Sequence, residues 1–332
     1  MTTRFGLLVP HFGLEADQDL LIKGAQLADR LGFDSLWVRD HLVFHPHGME
    51  GTDRTFIEPF VTLTYLAAVT ERIGLGAATI IPFRHPLHMA YSVASMSWMT
   101  RRKFDLGIGS GNFQHEFDVI GQGGVDRPAM MKEQVLIARK LWAGETVEWE
   151  SELYKFTDVD LKPQPVVPVD VWWGGATPAS ARLAVDFCEG WIPGRITFPT
   201  YAARVAKIRE MAAKQGKPMI KTGAVPVTSI DSTTQAAMER LNVPGLLKNA
   251  NAQKFWLKPE SGEFTRIEEL DGSILAGTPD DLVRGIQRYQ EIGCDLLVFD
   301  FRMRFPEWLE QIEILARDVL PRVANQPVAA AR

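Results

Sequence analysis

The segment VDVWWGGATPASARLAVDFCEGWI, Val169 to Ile192, holds a strand, a turn, a helix and the strand of the next unit, and its reading decides the fold. Val169 to Trp173 is a short apolar run that stops at Gly174 and Gly175. Thr177 then stands where a helix N-cap belongs and Pro178 at the first helical position, so a helix opens there and runs to about Phe187. Gly190 to Ile192 follows as another short strand. The same alternation extends outward in both directions. Strand candidates begin at Phe5, Ser35, Ile73, Phe104, Val169, Gly190, Thr222 (running to Thr228) and Leu296, and each is followed by a helical pattern. Eight such units favour a single (β/α)8 TIM barrel over an open doubly wound sheet. The strands are apolar on both faces, as strands covered by core and helices should be.

Two stretches interrupt the rhythm. Glu145 to Phe156 reads as a hairpin excursion, and Asp231 to Ser273, with Pro244, Gly245, Pro259 and Gly262, reads as irregular. The expected organisation is one barrel domain over 1–321, with insertions near 145–157 and 231–273 and a flexible tail over 322–332. The longer insertion is expected to form a lid or substrate loop.

Composition limits the function. The chain of 332 residues has 36 basic and 41 acidic side chains, a formal charge of −5, which argues against a nucleic-acid binder. With 46% hydrophobic and 23% charged residues, disorder and a disulfide scaffold are both poor readings. Cys188 and Cys294 sit in apolar stretches without a CxxC partner and read as buried thiols. The N-terminus lacks the pattern of a signal peptide, and no uncharged apolar run reaches about 18 residues. No membrane span is expected, and a cytoplasmic location follows by elimination.

In a barrel, chemistry sits at the C-terminal ends of the strands. Those positions are polar here: Pro10 and His11, then Asp40 and His41, then Thr79, Arg84 and His85, then Ser110, Asn112, Gln114 and His115. Of the 7 histidines, His11, His41, His45, His47 and His85 fall in the first three loops. His45 and His47 read as solvated loop residues and His41 as catalytic or cofactor-contacting; without carboxylates at ligand spacing, no metal is expected. The Gly174, Gly175, Ala176, Thr177 turn is either a phosphate cradle or an ordinary tight turn. Glycines admit an anion to the backbone, and a helix N-terminus favours its charge. The turn is neither GxGxxG nor a Walker A loop, so a cofactor monophosphate suits it better than a dinucleotide. Phe12, Phe44 and Phe83 near strand ends are candidates for an apolar substrate pocket.

Four strings carry a resemblance. GFDSLWVRDHL (32–42), EPFVTLTYLAAVTERIGLGAATIIPFRHPLHMA (58–90), KFDLGIGSGNFQHEFDVIG (103–121) and KPQPVVPVDVWWGGATPASARLAVDFCEGWIP (162–193) resemble the luciferase-like monooxygenase superfamily, and AGTPDDLVRGIQRYQEIGCDLLVFDF (276–301) resembles its closing unit. The resemblance implies a flavin-type cofactor across the barrel mouth, with its phosphate at Gly174 to Thr177. It also implies a bulge with a non-prolyl cis peptide near Ala78 and Thr79 beside the ring, ring contacts from Asp40 and His41, and cofactor contacts near Asn112 and His115.

Two chemistries fit. The leading expectation is a monooxygenase using reduced FMN, supplied by a separate flavin reductase, and dioxygen on a small, largely apolar substrate. The alternative is an oxidoreductase exchanging a hydride through the deazaflavin coenzyme F420, and a further one is a non-catalytic flavin-binding barrel. His41 can serve either chemistry as proton donor or acceptor. Deazaflavin relatives acting on a sugar phosphate carry a glutamate where this chain has Asn112, which puts that substrate class in doubt. The family also implies a homo-oligomer, a dimer or tetramer.

Overall fold

The computed structural model describes residues 3–323. Eight parallel strands close a barrel: β1 (Arg4–Leu8), β2 (Ser35–Val38), β3 (Gly74–Ile80), β4 (Phe104–Ile108), β7 (Val169–Gly174), β8 (Gly190–Ile192), β9 (Lys221–Ala224) and β12 (Leu296–Phe299). Their order around the barrel follows the chain, and β1 pairs with β12 to close it. All eight coincide with the strands expected from the sequence. Strands β2, β4, β8 and β12 are buried along their whole length, which explains their apolar character on both faces.

Tryptophans fill the lower barrel. The Trp37 ring lies across Gly6 of β1 and Gly76 of β3, where a Cβ would come within 2.7 and 2.5 Å of it. Trp172 donates its indole N–H to Asp105 at 3.0 Å, and Asp105 in turn accepts from Arg4 at 2.7 Å. With the barrel interior filled by these side chains, the usable space lies at the C-terminal mouth.

Several boundaries differ from expectation. The strand expected over 222–228 is two: after β9 the chain breaks at Pro226, which has no N–H for the ladder, and β10 (Val227–Ile230) leaves the barrel to pair in parallel with β11 (Ile274–Gly277). The irregular stretch 231–273 contains helices Thr234–Glu239 and Val243–Ala252 and a short 3-10 turn at Ile267–Leu270. Pro244 and Gly245 lie in the first turn of the second helix, whose Asn242 cap accepts from the Gly245 N–H at 3.0 Å, so residues read as breakers are start signals. The hairpin is present as antiparallel β5 (Val147–Glu150) and β6 (Lys155–Val159).

Cys188 and Cys294 are both buried free thiols. Among the described residues no helix is long and apolar enough to cross a membrane. Of the expected flexible tail, Arg322 and Val323 close the last helix, and the rest lies outside the described residues.

Candidate active site

A cavity of about 330 Å³ opens at the C-terminal mouth, with residues from all eight barrel units in its wall. Its middle is the end of β3. There the pairing with β4 slips between Ala77 and Ile80, and the Ala78–Thr79 peptide is cis. Gly174 is required beside this bulge, because a Cβ there would sit 2.6 Å from the Thr79 methyl.

One end is the turn after β7. Gly175 has φ +94°, a backbone conformation that L side chains rarely adopt. The Thr177 hydroxyl accepts from the Ser180 N–H at 3.0 Å and caps the helix Pro178–Phe187. That leaves the N–H groups of Ala176 and Thr177 without a protein acceptor among the described residues. Arg204 ties the turn to the long insertion, donating to Ala176 O at 3.1 Å and to Phe255 O at 2.9 Å. Trp256, next in the chain, lines the cavity with a buried indole N–H that has no partner. Free amides at a helix N-terminus and an orphaned N–H fit a group rich in acceptors and bearing a phosphate.

Asp40, after β2, is fully engaged. Its carboxylate accepts from Arg84 at 2.6 and 3.0 Å and from the Ile81 N–H at 2.9 Å. Burial raises its pKa, while Arg84 and the Ile81 amide pull the other way. With both oxygens committed, Asp40 shapes and charges the wall rather than moving a proton.

His41 is placed differently. Its Nε2 lies 3.2 Å from an Arg39 guanidinium nitrogen, which can only donate, so Nε2 accepts and the proton sits on Nδ1. Nδ1 then donates to Glu116, 3.3 Å away. Glu116 also accepts from the N–H groups of Leu42 at 2.8 Å and Val43 at 3.1 Å. Against the opposing effect of burial, His41 and these amides hold the Glu116 carboxyl below its ordinary range. The carboxylate thus fixes the tautomer and orientation of the ring.

The other loop histidines have structural partners. His11 bonds Ile57 O at 2.9 Å and accepts from the Arg39 N–H at 3.0 Å; burial pushes its pKa down to about 3. His85 caps the helix Pro86–Thr100. His47, expected in solvent, is instead packed beside Arg39 and lines the cavity, with burial pushing its pKa down to about 2.

The far end of the cavity is ionic. Arg39 donates to Glu50 at 2.8 Å, and Arg302, after β12, donates to Asp300 at 2.7 Å and also to Glu50. Arg195, after β8, lines the same end.

Of the residues expected at the site, Asp40, His41, Ala78, Thr79, Asn112, Gly174, Gly175, Ala176 and Thr177 are brought together in this wall. His115 is not among the lining residues; its ring faces His45 at 5.7 Å from the short helix Gln114–Asp118. The three phenylalanines do not line the cavity either. Phe12 lies beneath Arg39 at 4.5 Å and Arg302 at 5.7 Å, giving the two guanidiniums an aromatic face. Phe44 shares a smaller neighbouring cavity with Phe12, and Phe83 packs on Phe117 at 5.1 Å. Arg39, Glu50, Glu116, Arg195, Trp256 and Arg302 were not singled out by sequence reading. Arg39 carried the one local signal, standing between a strand end and Asp40. No group of three or more His, Cys, Asp or Glu among the described residues is arranged to hold a metal ion.

The sequence profile of the luciferase-like monooxygenase family matches residues 3–296. The chain belongs to this family. Among its relatives is an F420-dependent glucose-6-phosphate dehydrogenase from Microbacterium testaceum, 33% identical, with 95% of this chain and 98% of the relative covered. Among solved structures, an F420-dependent secondary alcohol dehydrogenase in complex with an F420-acetone adduct superposes with a TM-score of 0.81 at 19% identity, covering 97% of this chain and 99% of the other. Monooxygenase RslO1 from Streptomyces bottropensis gives 0.76 at 23% identity, covering 96% and 99%. The family members include oxidoreductases of both the flavin and the deazaflavin kind, and this chain is an oxidoreductase of that class.

Proposed function

We propose that this protein is an F420-dependent oxidoreductase that exchanges a hydride with a hydroxyl- or carbonyl-bearing carbon of a small polar substrate. The observation that carries this reading is His41, oriented by Glu116 in the same cavity wall as the Ala78–Thr79 bulge and the Gly174–Thr177 turn. Bound across that wall, a deazaflavin supplies the carbon that gives or takes the hydride. The free amides of Ala176 and Thr177 and the Trp256 N–H would hold its phosphate end. With a substrate hydroxyl in place of the Arg39 N–H at Nε2, His41 would accept the hydroxyl proton there when an alcohol is oxidised and return it when a carbonyl is reduced; Glu116 would stabilise the imidazolium in between.

Two observations support this reading over FMN-dependent oxygenation. The relative at 33% identity bears the F420 name. The cavity wall includes Arg39, Asp40, His41, Glu116, Arg195 and Arg302 and none of Phe12, Phe44 and Phe83, which favours a polar substrate over the apolar one expected from sequence. Asn112 lines the cavity as a neutral amide where sugar-phosphate enzymes of the resemblance carry a glutamate, so glucose 6-phosphate is not carried over.

Titration of the purified protein with F420 and with reduced FMN tests the cofactor. Micromolar binding of F420 is expected, and binding of FMN alone would sink the reading. His41→Ala should lower turnover by about 10²- to 10³-fold with F420 affinity changed by less than about threefold. An unchanged rate removes His41 from the mechanism.

A further inference from the structure

At the ionic end of the cavity two guanidiniums and two carboxylates are matched: Arg39 with Glu50, and Arg302 with Asp300 and Glu50. Arg195 is the third guanidinium. Its one side-chain bond among the described residues runs from Nη1 to the Met49 thioether at 2.6 Å, and no carboxylate lies within ion-pair distance of it. A thioether is a weak acceptor and a guanidinium has five donors, so most of that capacity is open. Burial, then repulsion from Arg302, pushes the Arg195 pKa down to about 9, which leaves it cationic at neutral pH. A partly buried cation, with open donors in a wall that His41 also lines, is organised to receive an anion from outside the protein.

We propose that Arg195 is the receptor for a carboxylate on the substrate, so that the substrate is a small hydroxy or oxo carboxylic acid. The inference rests on the oxidoreductase reading above, because that reading places the reacting carbon beside His41. The charge count favours a carboxylate. Three arginines against Glu50 and Asp300 leave one positive charge, which a monoanion neutralises and a phosphate dianion overcompensates. The planar fork of a guanidinium also matches the two oxygens of a carboxylate.

Three probes suffice: lactate, its methyl ester, and glucose 6-phosphate, each titrated into the protein without cofactor and followed by thermal shift and calorimetry. Lactate should bind and raise the melting temperature, and the ester should bind at least tenfold more weakly. Arg195→Met, which keeps an unbranched stem, should weaken lactate binding on the order of 100-fold, and Arg195→Lys should restore part of it. F420 affinity should stay within about twofold in both variants. Equal binding of lactate and its ester to the wild-type protein overturns the proposal without recourse to any variant. So does an Arg195→Met variant whose F420 affinity falls as far as its lactate affinity, or Arg195-dependent binding of glucose 6-phosphate tighter than that of lactate. Lactate binding is read without cofactor, so failure of F420 to bind would strike the cofactor reading and leave this measurement standing.

Discussion

At one end of the mouth cavity, Gly175, Ala176 and Thr177 present backbone N–H groups with no formal charge. At the other, Arg39, Arg195 and Arg302 present side chains that carry full charges, and Glu50 and Asp300 hold Arg39 and Arg302. The first end is contiguous in sequence, and its geometry is fixed by one glycine and one helix cap. The second is assembled from loops after β2, β8 and β12. The contrast separates two tasks. Under the function proposed above, the backbone cradle would bind the cofactor shared with relatives and tolerate little change in its own chain. A side-chain array can be rewritten residue by residue, and it is where this protein's substrate choice is expected to reside.

The comparison can be broken most severely at the cradle. Gly175→Val forces a β-branched residue to φ +94°, with its Cβ 2.8 Å from Ser180 Oγ. Cofactor binding should be lost at concentrations that saturate the wild-type protein, while far-ultraviolet circular dichroism stays unchanged; retained binding would disprove the cradle.

Glu50→Gln strikes the other end. It leaves Arg39 and Arg302 facing each other without their shared carboxylate, and should cost about 3 kcal/mol in denaturant unfolding at neutral pH. Against the opposing effect of burial, Arg39 and Arg302 hold the Glu50 carboxyl well below its ordinary value of 4.5. A depressed folded pKa contributes stability that is complete above the unfolded value and lost as pH falls through the folded one. The gap between wild type and variant should therefore be constant at neutral pH and narrow progressively below about pH 4.5. A gap independent of pH would show that Glu50 acts through packing alone.

The mildest change sharpens the contrast. Thr177→Ala removes the cap on the Ser180 N–H and should cost about 1 kcal/mol, with cofactor affinity reduced by only a few fold, because the amides that face the cofactor remain. A loss as large as that of Gly175→Val would mean that the hydroxyl itself contacts the cofactor.

The same division decides what was legible in the sequence. The eight strands could be read because burial on both faces writes continuous apolar runs, and the cradle because its glycines, cap and proline are adjacent. Pro226 escaped notice inside Thr222 to Thr228, since an apolar run does not reveal that its second half pairs outside the barrel. Pro244 was misread because proline marks helix starts as well as breaks. The phenylalanines near strand ends were given to the substrate, yet Phe12 supports arginines that no local pattern connects to it. Glu116 falls within a motif that was quoted, but its bond to His41 joins residues 75 positions apart.

Glu50 and Arg302 are separated by 252 positions, and their bond joins the second barrel unit to the loop after the last strand. A ribosome must therefore release nearly the whole barrel before the charged end of the cavity can assemble. Chains cut short before Asp300 would lack both Asp300 and Arg302 and could not assemble the ionic array. In the cell, completing the ionic array coincides with completing the polypeptide.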